Sequence, residues 1–138
     1  MSTFAAALEA AARRTPAKTA AVDDARRVTY AELDTLVDRV AAGLVARGVG
    51  PGDAVTSQLP NCIEALAICV AANRVGAIHN PIVPIYRDRE VSFIVAEAGT
   101  AVFVDRRDDD LLDHDATAAA SPRPDRVVEP SFLVYTSG

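Results

Sequence analysis

Apolar residues recur along this chain with two periods, and the change between them marks out its elements. Phe4, Ala7, Leu8 and Ala11 repeat at helical spacing and stop at Arg13-Arg14-Thr15-Pro16, where proline disfavours helix in the residue before it. Two short strands follow, at 19–22 and 27–30, with Asp23-Asp24-Ala25 as the turn between them. Thr29 and Glu32 form a capping box, each side chain satisfying the other's orphan amide. Leu33, Leu36, Val37, Val40, Ala41, Leu44 and Val45 then form the inward stripe of a long helix that Gly48 ends.

Past a turn at Gly50-Pro51-Gly52-Asp53, residues 54–59 read as a strand. Asn61 and Glu64 are placed to cap the next helix, whose inward stripe is Ile63, Leu66, Ala67, Val70, Ala71 and Val75. Gly76 ends it, and 77–80 is a short strand. A further helix starts at Asp88 or Arg89, turns Val91, Ile94, Val95 and Ala98 inward, and stops at Gly99. The run 101–104 lacks polar alternation, so it is expected to be buried on both faces. From Asp53 onward the order is strand, helix, strand, helix, strand. That order predicts an α/β fold whose mainly parallel sheet is flanked by helices, with right-handed crossovers.

The composition changes at residue 105. Residues 105–130 hold Asp108-Asp109-Asp110, Asp113, His114, Asp115, an alanine run and three prolines. They read as an acidic linker with one short helical turn around Leu111-Leu112. The chain then re-enters an apolar run, Phe132-Leu133-Val134, that leads into Tyr135-Thr136-Ser137-Gly138. A buried strand passing into small hydroxyl residues and a glycine is how a phosphate-cradling loop begins. Backbone amides and short hydroxyls surround phosphate only where side chains are small. Thr136, Ser137 and Gly138 are therefore the candidate nucleotide-binding residues, against the plainer reading of a strand ending in a polar turn.

Other features narrow the function. The 138 residues fit one domain, and their net charge of −5, with no basic stripe, excludes an electrostatic reason to bind nucleic acid. No run of 18 apolar residues spans a membrane, and the N-terminal segment has its arginines at the wrong end for a signal peptide, so a cytoplasmic protein is expected. Cys62 and Cys69 lie on one helix face about 10 Å apart, too far for a disulfide, and read as buried thiols. His114 among its aspartates reads as part of a solvated charge run, with no metal site expected. His79 reads as a structural histidine or the edge of a substrate pocket, and Tyr30 and Tyr86 as packing residues. No catalytic Ser/His/Asp set or carboxylate pair can be assembled.

Several segments in order resemble the AMP-forming adenylate synthetase family, which includes acyl-CoA ligases and firefly luciferase. These are Val28-Thr29-Tyr30-Ala31-Glu32-Leu33, Arg47-Gly48-Val49-Gly50-Pro51-Gly52-Asp53, Gln58-Leu59-Pro60-Asn61, Ala72-Asn73-Arg74-Val75-Gly76-Ala77 with Asn80-Pro81, and Phe132 to Gly138. The blend of Gln58-Leu59-Pro60-Asn61 with Pro84-Ile85-Tyr86-Arg87 and Glu90 looks most like carboxylate–CoA ligases of the cyclohexanecarboxylate and medium-chain type. The resemblance implies ATP and Mg²⁺ as cofactors, with a carboxylate and coenzyme A as substrates. An acyl-AMP forms with release of pyrophosphate, and the coenzyme A thiolate then displaces AMP.

The resemblance also divides the chain. Residues 1–104 correspond to the N-terminal α/β subdomain of an AMP-binding domain, 105–130 to a linker shorter than the family's, and 131–138 to a strand and the start of the phosphate loop. The family's lysine, its Mg-binding glutamate and its ribose-binding aspartate have no counterpart here. The expectation is a fragment of an acyl-CoA ligase, inactive and marginally stable by itself, with no ATP bound productively. Two alternatives stand beside it: a noncatalytic α/β binding module, and one half of a split ligase completed by a separate C-terminal part.

Overall fold

A computed structural model describes residues 3–113. Helix α1 (Phe4–Arg14) is followed by strands β1 (Thr19–Val22) and β2 (Arg27–Thr29), helix α2 (Tyr30–Ala46), strand β3 (Ala54–Ser57), helix α3 (Ile63–Arg74), strand β4 (Ile78–Pro81), helix α4 (Asp88–Glu97) and strand β5 (Thr100–Val104). A 3₁₀ turn, Asp110–Asp113, comes last. β1 and β2 pair antiparallel as a hairpin. β3, β4 and β5 form a parallel sheet in the order β4-β3-β5.

The centre of that sheet is β3, and all four of its residues are buried. Val55 joins Val102 and Val104 in the main core beneath α2 and α3, with Leu33, Val37, Val40, Leu44, Ala67, Ile68 and Ala71. Ala54, Ile82 and Ile94 are buried outside that cluster, on the α4 side. The β3–α3–β4 and β4–α4–β5 crossovers therefore lie on opposite faces of the sheet and cover both faces of β3.

Local signals act where expected. The capping box closes α2, with Glu32 N–H donating to Thr29 Oγ1 (3.2 Å) and Thr29 N–H to Glu32 Oε1 (3.0 Å). The box holds the Glu32 carboxyl below its usual range, chiefly through the Thr29 amide. Gly76 adopts φ +78°, and a Cβ there would press on Pro51 at 3.4 Å. The Gly50–Asp53 turn docks on it through Gly52 N–H to Gly76 O.

Elsewhere packing overrules the pattern. Among the described residues β5 is an edge strand: Val102 and Val104 are buried while Ala101 is exposed and Phe103 half-buried, so these residues do not cover it on both faces. The expected strand 54–59 stops at Ser57, although Gln58 N–H still donates to Val104 O. Phe4 and Ala7 face outward, and α1 docks through Ala5 and Leu8, because an alanine-rich helix offers little contrast between its faces. Ala5 N–H donates to Asn73 Oδ1 and pins that docking. Leu66 is exposed, whereas α3 is otherwise buried nearly all round from Ala67 to Arg74, wedged between α1, α2 and the sheet. Leu111 and Leu112 form the expected helical turn and are buried in the core with α2.

The cap of α3 is supplied from outside the helix. Cys62, not Asn61, is the N-cap residue, and its side chain makes no capping bond. Ile63 N–H donates instead to Asp23 Oδ2, in the β1–β2 turn, at 2.9 Å. At the other end of α3, Arg74 is 2% exposed and donates to Asp38 (2.6 Å) and Asp34 (2.9 Å) of α2, with Glu9 of α1 at 3.8 Å. A buried guanidinium is tolerated only because three carboxylates surround it.

Two substitutions test these anchors by thermal melting and urea unfolding. Arg74→Ala is expected to cost about 3 kcal/mol, the low end for a broken buried pair, because Asp34 and Asp38 are partly exposed and rehydrate. Asp23→Ala is expected to lower Tm by roughly 5 °C or more, and Asn61→Ala by less than about 2 °C, the reverse of the order that a local cap at Asn61 predicts.

Candidate functional site

Sheets of this type bind ligands beyond the carboxyl ends of their strands. At that edge β3 leads into Gln58, β4 into Ile82 and β5 into Asp105. Gln58 Nε2 donates to Tyr86 O (2.8 Å) and Val83 O (3.3 Å), so one side chain shapes the loop between β4 and α4. Tyr86 thus enters through its carbonyl, and Tyr30 packs half-buried against the core.

Two polar sets lie within the sheet, one on each face. On the α4 side Asn80 Nδ2 donates to Thr56 Oγ1 (3.1 Å), which shares a hydrogen bond with Thr100 Oγ1 (2.6 Å). On the other, Ser57 Oγ lies 3.0 Å from His79 Nε2. Burial pushes the His79 imidazole down to about 4, so it is neutral at physiological pH. Burial and the Ser57 contact fit the structural reading of this histidine, one of the two its position left open.

A charged cluster lies beyond β3 and β5. Arg107 donates to Asp23 (3.0 Å), Asp24 (2.9 Å) and Glu64 (3.3 Å), and Arg26 also reaches Glu64 at 3.5 Å. Asp23 Oδ1 accepts from the Ala25 and Arg26 amides. The Ile63 amide first, then these others and Arg107, hold the Asp23 carboxyl down at about 2. The Arg107 pKa is raised, most of all by the Asp24 hydrogen bond. Each of these carboxylates is spent on protein groups.

A groove of about 390 Å³ runs between the hairpin and α3, past Val22, Cys62 and Leu66. A second, of about 350 Å³, lies between β2 and α2, past Arg26, Glu32 and Arg39. Neither has a set of converging amides or small hydroxyls suited to a polyphosphate. Among the described residues no three His, Cys, Asp or Glu side chains are grouped so that they could hold a metal ion. No described helix is long and apolar enough to cross a membrane.

Thr136, Ser137 and Gly138 lie outside the described residues, as do His114 and the run 132–135. The cysteines are unpaired, as their spacing predicts, although Cys69 is only half-buried. Burial raises both thiol pKa values. Reading along the chain missed the Arg74 and Arg107 clusters. Asp34 and Asp38, four residues apart on α2, were the one available signal for the first of them.

The His79 shift predicts a pH dependence. Its folded pKa is depressed, so between about 4 and 6.5 the unfolded chain binds the extra proton, and stability falls as pH drops through that window. The loss is expected to reach about 3 kcal/mol, read by urea unfolding at a series of pH values. His79→Gln is expected to flatten the profile there, leaving the further acid loss below the ordinary aspartate range that Asp23 contributes.

Comparison with known proteins matches this architecture. A family model described as AMP-binding enzyme matches residues 8–138. The chain is 32% identical over 150 residues to the phosphinothricin tripeptide synthetase PhsC of Streptomyces viridochromogenes, covering 95% of this chain and 14% of that protein. It is 37% identical over 97 residues to 2-hydroxy-7-methoxy-5-methyl-1-naphthoate–CoA ligase of Streptomyces carzinostaticus, covering 70% of this chain and 17% of that protein. Among solved structures, an inhibitor-bound N-terminal domain of FACL13 from Mycobacterium tuberculosis superposes with a TM-score of 0.83 at 28% identity, over 100% of this chain and 42% of that one. The chain thus spans under a fifth of the length of these two curated relatives. With a family match over nearly all its residues and the same fold as an adenylate-forming ligase domain, this chain belongs to the AMP-binding enzyme family.

Proposed function

We propose that the chain supplies the N-terminal scaffold of an AMP-dependent carboxylate ligase, and that Thr136, Ser137 and Gly138 begin the loop that receives the phosphates of ATP. One observation bears most of this reading: the family match spans both the β4-β3-β5 sheet and the run ending at Gly138. In the intact enzyme a carboxylate oxygen attacks the α-phosphate of ATP, pyrophosphate leaves, and the resulting acyl-AMP is open to a thiol. Relatives include both CoA ligases and peptide synthetases. Coenzyme A is the acceptor we favour, because Gln58-Leu59-Pro60-Asn61 and the segment from Pro84 to Glu90 are closest to the CoA-ligase pattern.

In this reading residues 3–113 contribute shape. They hold β3 and β5 side by side and tie down the chain as it leaves β5. Asp23, Asp24 and Glu64 are paired with Arg107, so in this reading the phosphate and Mg²⁺ contacts fall to other residues. A cytoplasmic setting, where ATP and coenzyme A are available, goes with this chemistry.

Carboxylate-dependent exchange of labelled pyrophosphate into ATP tests the proposal. The 138-residue chain alone is expected to show no exchange above a protein-free blank. Mixing it with a polypeptide carrying the rest of an adenylate-forming enzyme is expected to produce exchange. Saturable exchange by the chain alone would overturn the scaffold reading.

A further inference from the structure

We draw no further inference here: the strongest candidate, the apolar groove between the β1–β2 hairpin and the start of α3 along which Val22 and Leu66 stand exposed, carries nothing because nothing in the structure shows what covers it.

Discussion

Strand β3 has to be hidden on both faces, and most of the structure follows from that requirement. Its four residues are Ala54, Val55, Thr56 and Ser57, all buried. Val55 faces α2 and α3 in the main core, and Ala54 faces the α4 side. The two hydroxyls cannot be left dry without partners. Asn80 and Thr100 meet Thr56, and His79 meets Ser57, so both neighbouring strands must lie in register beside β3. Hydrophobic cover and polar satisfaction select the same arrangement, a parallel sheet with helices on both sides.

Charge then joins what the sheet does not reach. Arg74 binds α3 to α2 and α1, and Arg107 binds the hairpin, α3 and the chain beyond β5. Both arginines sit among carboxylates from distant segments, a forked cation meeting several acceptors at once. The two differ in setting. Arg74 is sealed in the interior, where losing a partner is costly, while Arg107 keeps contact with solvent and with salt.

The fold and the candidate site were legible to different degrees. The β–α alternation, the element types and the Thr29–Glu32 box depend on period and on neighbours three residues apart, so they show along the chain. The strand-to-hydroxyl run ending at Gly138 pointed to nucleotide chemistry, and the family match covers it. The motifs along the chain favoured coenzyme A as acceptor, whereas the relatives of this region include both CoA ligases and peptide synthetases and do not single it out.

By itself the sequence determined the α/β class, the β–α alternation and the family, since each rests on local spacing or on short ordered motifs. Only the tertiary structure decided which helix faces are inside, where β5 sits and what caps α3. Asn61 is a good cap by type, yet Asp23 from forty residues away takes the Ile63 amide, because the hairpin turn is folded against the helix start and fixed there by Arg107. The same reasoning covers Phe4, Leu66 and Ala101, apolar residues left outward by the packing around them. A pattern along the chain records what each residue prefers, and contacts between distant segments decide which preference is met.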